Sequence, residues 1–316
     1  MLIMSKMYEE FIKEVKELAI SKNDNDLLNK ALDFERKNKK ILIVGLGLLG
    51  GSFAQGLSDY GYEVGAIDTN KDSIDYAIKT NIIKHGSTEV SFDYVNSFDV
   101  IIFALYPHVF VEWLRKYQSY IKKSAIISDV TGVKTWLINE LNSFIRKDIN
   151  LVLAHPMAGR EVYGVRNSDK NMFIGANYII TPLDDTSIEA IEFMKEIAKK
   201  LGFKNIVCLS VKEHDEMIGF LSQLTHCIAI SLMTCKESEH LVEYTGDSFR
   251  DLTRIAKIND EMWSELFLIN KDELISQMEL FLDQFTKLKK SIETGDVEEM
   301  KNIMRLSTLR RSYFDK

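Results

Sequence analysis

Apolar positions recur along this chain with two different periods, and the switch between them divides it. Phe11, Ile12, Val15, Leu18 and Ile20 stand among many Glu and Lys residues at helical spacing, which predicts an amphipathic helix or helical pair over 5–38. The pattern changes at Lys40. Ile41–Val44 is a short unbroken apolar run, as expected of a strand buried on both faces of a parallel sheet. Further strand-like segments follow at Tyr62–Ile67, Val100–Leu105, Ala125–Val130, Leu151–Ala154 and Tyr178–Thr181, with helical stretches between them near 48–60, 71–79, 109–120 and 134–144. This alternation predicts an α/β doubly wound (Rossmann-type) domain, a parallel sheet with helices on both faces. A helix near 186–200 and a short strand, Ile206–Leu209, complete the pattern, and from Val211 onward the periodicity is helical throughout. The expected division is a helical N-terminal extension over 1–39, a Rossmann domain over 40–183 and an all-α domain over 184–316. Within the last, Met217–Met233 is apolar almost all round, so that helix is expected to be buried against other helices or a second subunit.

Composition narrows the classes of partner. With 40 basic and 47 acidic residues the net charge is −7, which argues against nonspecific binding to nucleic acid or to an anionic membrane surface. An anionic ligand would have to be held by local basic residues. The three cysteines, Cys208, Cys227 and Cys235, lack both CxxC spacing and an even number, so neither a disulfide framework nor a metal site is expected. No unbroken apolar run reaches the roughly 18 residues of a membrane helix, and the acidic, interrupted N-terminus does not read as a signal peptide. A cytoplasmic protein is expected. The three prolines, Pro107, Pro156 and Pro182, are few enough that each should mark a fixed junction.

Gly45-Leu46-Gly47-Leu48-Leu49-Gly50 follows the strand Ile41–Val44 directly and opens a helix, and a second strand ends at Asp68, 18 residues after Gly50. Glycine triplets alone are weak markers, but this context is that of a dinucleotide site. Gly45 permits a tight turn, Gly47 lets the backbone approach a pyrophosphate, and Gly50 lets helix and strand pack closely. Leu48 and Leu49 begin the helix whose free N–H groups and positive dipole end would face the phosphates. Asp68 is placed to accept hydrogen bonds from a ribose diol and to repel a 2′-phosphate, which favours NAD over NADP; the alternative for Asp68 is a helix cap before Lys71. Leu105, closing the strand Val100–Leu105, is expected near the nicotinamide edge.

His155 is the candidate base, because it follows the strand Leu151–Ala154 at the carboxyl edge of the sheet and Pro156 restricts it to an extended conformation. Its ordinary pKa of about 6.5 suits proton transfer near neutrality. In the apolar helix, Gly219, Ser222, Gln223 and His226 share one stripe, which must meet either internal polar partners or a ligand. His214 falls off that stripe and reads as structural or as a helix-start residue. Arg250 and Arg254, four apart, would share a helix face as a candidate bidentate anchor for carboxylates; the alternative is a surface salt bridge, with Arg250 the exposed member and Arg254 the more buried.

Taken together, the glycine loop, Asp68, the stretch Asp129-Val130-Thr131-Gly132-Val133-Lys134, the string His155-Pro156-Met157-Ala158-Gly159, Ser222–His226, Asp251–Ala256 and Trp263 resemble the prephenate and arogenate dehydrogenases of tyrosine biosynthesis. The resemblance spans roughly 41–270 and is specific in the order and spacing of its parts. It implies NAD-dependent oxidative decarboxylation of prephenate to 4-hydroxyphenylpyruvate by a Rossmann domain joined to a helical domain that forms a homodimer, with the site between the domains. By that resemblance His155 takes the proton of the ring 4-hydroxyl, Arg254 binds a substrate carboxylate and His226 lines the pocket. Gly132 departs from the pattern, since the family commonly has Ser there to help position the hydroxyl; the resemblance leaves that part to Thr131 or a water. The 39 residues before the first strand are too few for the fused mutase of some members, and no regulatory domain is expected after the helices. Two rivals are a Rossmann dehydrogenase of the hydroxyacid or imine-reducing type, which has no need of His-Pro at a strand end, and a non-catalytic NAD sensor, which needs neither His155 nor Arg254.

Overall fold

The computed structural model describes residues 2–237 and 239–315, excepting the side chains of 2–10, 29 and 32–34. They form two compact units, Met1–His214 and Asp215–Lys316. The first begins with the helical pair α1 (Leu2–Ser21) and α2 (Asn25–Lys37), in which Ile12, Ala19 and Ala31 are buried and an ion pair joins Arg36 to Glu196. Asp24 caps α2 by accepting a hydrogen bond from Leu27 N–H.

The α/β body then runs β1 (Lys40–Val44), α3 (Leu48–Asp59), β2 (Glu63–Ile67), α4 (Lys71–Lys79), β3 (His85–Ser87), α5 (Phe92–Val95), β4 (Val100–Phe103), α6 (Pro107–Tyr117), β5 (Ile126–Asp129), α7 (Thr135–Leu141), β6 (Asn150–Met157), β7 (Asn177–Thr181), α8 (Ile188–Lys200) and β8 (Asn205–Cys208). One eight-stranded sheet results, in the order β3-β2-β1-β4-β5-β6-β7-β8. The order reverses between β1 and β4, which places the crevice of a doubly wound sheet at the carboxyl ends of those strands. Two apolar clusters cover its faces. One is built on Phe53, Phe173, Phe193 and Ile43, the other on Phe103, Phe110, Leu114 and Leu153.

Three features differ from the expected pattern. β3 carries only His85, Gly86 and Ser87, so no apolar run announces it, and it holds its place at the sheet edge by pairing with β2. β7 runs antiparallel to β6, not parallel. A parallel return needs a long crossover, normally a helix, and the connection between these strands holds only two short 3₁₀ turns, Val165–Asn167 and Lys170–Phe173. Finally, the units divide at His214/Asp215, about 30 residues beyond the expected boundary at 183/184. α8 buries Ala190, Phe193, Met194 and Ile197 on the sheet, and β8 pairs with β7, so both belong to the α/β unit.

The helical unit takes in most of a 24-residue helix, Val211–Thr234, made of α9 (Val211–Ile218), a π-helical stretch Gly219–Leu224 and α10 (Thr225–Thr234). After it come α11 (Leu241–Tyr244), α12 (Asp247–Thr253), α13 (Asp260–Ile269), α14 (Lys271–Thr294) and α15 (Val297–Arg311). By length and composition Val211–Thr234 could cross a membrane, which corrects the sequence reading: Ser222, Gln223 and His226 interrupt the apolar run without removing its average apolarity. Only 28% of its most apolar window is buried, so within one chain the expected burial is not reached.

Candidate active site

The glycine loop has three distinct environments. Gly45 adopts φ +96°, and a Cβ there would stand 2.5 Å from Ala104 O and 2.9 Å from Leu105 Cδ2. At Gly50 a Cβ would fall 1.9 Å from Gly45 O, so α3 packs against the β1 turn only because no side chain intervenes. Gly47 caps α3 without a side-chain hydrogen bond, and a Cβ on it would meet nothing within 4 Å. Two glycines are therefore required by the protein's own packing, while the third keeps open the approach to the N–H groups of Leu48, Leu49 and Gly50, which suits the pyrophosphate of a dinucleotide. Asp68 follows β2 and ties the loop down, accepting from Leu46 N–H at 2.6 Å and Asn70 N–H at 2.7 Å. It is not the helix cap: Asn70 caps α4, accepting from Asp72 and Ser73 N–H. A carboxylate with two backbone donors retains acceptor capacity for a diol.

On the other side of the switch point, β5 ends in a buried polar cluster. Asp129 and Lys134 have fully buried side chains, with Lys134 Nζ 2.5 Å from Asp129 Oδ2. Nζ also donates to Ala154 O at 2.7 Å and to Thr131 Oγ1 at 3.3 Å, while Asp129 Oδ1 accepts from Ala154 N–H at 3.0 Å. β5 and β6 share backbone register only as far as Ser128 and Val152. Beyond that point the Asp129 and Lys134 side chains supply the donor and acceptor that a further stretch of β5 would have offered Ala154. This matters because an unmet backbone group or an unpaired ion at such depth costs several kcal/mol.

His155 comes next. It lies within β6, not past its end: β6 continues to Met157 through antiparallel pairing with β7, His155 opposite Ile179. The carboxyl end of its parallel pairing with β5 nonetheless comes just before it. Its ring is half-buried, and Nδ1 lies 3.0 Å from Nε2 of His214, which is wholly buried at the start of α9. Burial, reinforced by His214 and the Lys134 ammonium, holds the pKa of His155 well below its usual value. His214, expected to be structural or a helix-start residue, does lie in the first turn of α9 and is also the direct partner of the candidate base. No linear spacing announces it, since 59 residues separate the two.

Thr131 is turned into the protein, not toward a ligand. Its hydroxyl donates to Asp129 and its N–H to the same carboxylate at 3.0 Å, and the residue is buried, so Thr131 secures the ion pair instead of offering a hydroxyl to a ligand. Gly132 beside it is partly exposed. Leu48, Leu49 and Leu105 are each partly exposed around the loop.

In the helical unit the polar stripe finds internal partners at Gln223 and an aromatic neighbour at His226. Gln223 donates to Leu266 O at 2.9 Å and accepts from Asn270 Nδ2 at 2.7 Å. His226 Nδ1 donates to Ser222 O at 2.8 Å, and its ring lies over Trp263 with centroids 3.7 Å apart. Arg254 is exposed within its unit, contrary to the expected burial, and it does not share a continuous α-helix with Arg250: α12 ends at Thr253 and Arg254 opens a 3₁₀ turn. Arg250 is held instead by Asp247 Oδ1 and Thr245 O.

Comparison with known proteins bears on both units. Residues 53–207 match the family model described as "Prephenate dehydrogenase, nucleotide-binding domain", and 210–306 match "Prephenate dehydrogenase, dimerization domain". The prephenate dehydrogenase of Bacillus subtilis is 28% identical over 282 residues, covering 87% of this chain and 75% of that protein. The crystal structure of prephenate dehydrogenase from A. aeolicus in complex with hydroxyphenyl propionate and NAD+ superposes with a TM-score of 0.79 at 30% identity, covering 87% of this chain and 98% of that one. Synechocystis arogenate dehydrogenase, at 20% identity, shares the fold with a TM-score of 0.75 over 87% of this chain and 99% of that one. With a glycine loop that fits a dinucleotide, a His at the sheet's carboxyl edge and both domain models matched in order, the chain belongs to the prephenate dehydrogenase family.

Proposed function

We propose that the chain is an NAD-dependent prephenate dehydrogenase of tyrosine biosynthesis. It would convert prephenate and NAD+ to 4-hydroxyphenylpyruvate, CO2 and NADH. The observation that carries this reading is His155, a neutral imidazole beside the crevice of a sheet whose glycine loop is shaped for a dinucleotide.

The N–H groups at the start of α3 hold the pyrophosphate, Gly47 leaves it room, and Asp68 accepts from the ribose diol and disfavours a 2′-phosphate. Bound NAD supplies the hydride acceptor, and arenes being far more stable than cyclohexadienes, aromatisation drives loss of CO2 without a metal. His155 Nε2 accepts the 4-hydroxyl proton as the carbinol carbon gives up its hydride. Arg254 binds a substrate carboxylate, which suits an exposed guanidinium better than a buried structural one, and His226, stacked on Trp263, lines the pocket. The chain acts as a homodimer through its helical unit, and its free cysteines fit a cytoplasmic enzyme.

The test is a spectrophotometric assay of NADH formation with prephenate and arogenate offered separately, repeated with NADP. Rapid turnover with prephenate and NAD is expected. Turnover with arogenate alone would reassign the substrate, higher kcat/KM with NADP would reassign the cofactor, and no reduction with either substrate would overturn the reading.

A further inference from the structure

Of the six histidines, His155 and His214 stand out because each ring is the other's hydrogen-bond partner, Nδ1 to Nε2 at 3.0 Å with the rings edge to face. A single proton must lie between the two nitrogens, since two N–H groups would collide there and two lone pairs would repel. If His214 were the donor, His155 would carry its proton on Nε2 and could not accept another. If His155 is the donor, its Nε2 holds the lone pair. Only the second arrangement makes His155 a base.

We infer that His214 is the positioning residue of the reaction, accepting the Nδ1–H of His155 and so fixing both the tautomer and the ring orientation that leave Nε2 free to take a substrate proton. The inference rests on the reading of His155 as the base. His214 is suited to the part: it is wholly buried in the first turn of α9, where its backbone N–H donates to Ser210 O at 2.9 Å, while the His155 ring is half-buried. The groups facing His155 are the His214 ring on one side and the Lys134 ammonium, paired with Asp129, beneath Ala154. Ile179, opposite on β7, is apolar. When His155 gains the 4-hydroxyl proton at Nε2, its Nδ1–H stays directed at His214 Nε2 and no second proton has to move.

The test uses the full chain. ¹⁵N NMR of histidine-labelled protein should show His155 as the Nδ1–H tautomer, retained in His214→Gln, whose amide oxygen can accept at the same reach, and lost in His214→Leu. For prephenate oxidation, kcat should fall by about 10- to 100-fold in His214→Leu with KM little changed, part of the 10²–10⁴-fold worth of a positioned base. It should stay within about 3-fold of wild type in His214→Gln. His214→Glu, which sets a carboxylate beside the ring, should move the acidic limb of the kcat/KM profile to higher pH, a shift that mere loss of packing would not produce. A wild-type His155 found as the Nε2–H tautomer, or an acidic limb unmoved in His214→Glu, would overturn the inference, and these two readings decide it even if His214→Leu fails to fold. His155→Asn keeps the outcomes separate. Near wild-type turnover in that variant removes the base reading itself, whereas an inactive His155→Asn beside a fully active His214→Leu removes only the role of His214.

Discussion

Phe53, Phe103 and Phe173 are sealed inside the α/β unit, while Phe220, Phe285 and Phe314 in the helical unit stand 50%, 58% and 74% exposed. Among the described residues after His214, the buried apolar side chains are Ile218, Leu224, Ala229 and Leu274. The α/β unit closes its core with both faces of a sheet, so it can bury a fully paired ion at Asp129 and Lys134 and a histidine pair without help. The helical unit leaves most of its large apolar side chains outside. On α14, Ile275, Leu282, Phe285 and Ile292 recur on one helical face and all remain exposed. Burying such a face yields roughly 1.5–3 kcal/mol per large side chain, a gain available only from another surface. The lesson is that chemistry needing fixed protons resides in the self-sufficient unit, whereas the other unit is shaped for association.

Four changes probe that contrast. The largest effect is expected from His155→Asn, which removes the proposed base and should lower kcat for prephenate by about 10²–10⁴-fold, with NAD affinity by fluorescence titration unchanged. Lys134→Met comes next. It leaves the Asp129 carboxylate buried and unpaired beneath Ala154, and chemical denaturation should show a loss of about 3–5 kcal/mol. If stability were unaltered, the buried pair would not be what holds β6. Arg254→Gln removes a charged partner for a carboxylate and should raise KM for prephenate by about 10-fold or more while sparing NAD binding, since a hydrogen bond to a charged group is worth about 1.5–3 kcal/mol. The smallest effect on a single chain is expected from Phe285→Asp, which changes an exposed side chain. Its mark should be a shift toward monomer in sedimentation at micromolar concentration, with the melting of the α/β unit little altered; an undisturbed oligomer would separate that face from association.

The pH dependence carries the same contrast. The proposed base is His155 in its neutral form, and burial, His214 and Lys134 hold its pKa below the usual 6.5. Activity should therefore persist on acidification past 6.5 and fall only as the pH drops through the lowered value, as read from kcat/KM. A limb at or above 6.5 would mean that the ring is more solvated than its surroundings indicate.

The sequence determined much of this directly. Unbroken apolar runs announce β1 and β4 because strands covered on both faces have no polar side to display. The glycine loop is legible because Gly45 and Gly50 answer to local packing, and His155 because the apolar run before it marks a strand, although that strand runs on through Pro156 to Met157. What only the tertiary structure decided is how distant side chains share protons and space. Nothing local told that β7 would return antiparallel, that the Thr131 hydroxyl would serve Asp129, that Arg254 would be exposed, or that His214 would meet His155 across 59 residues. Periodicity records which face of an element is buried; it holds no record of what lies against that face, and hydrogen-bond partners and pKa shifts are set by the neighbour.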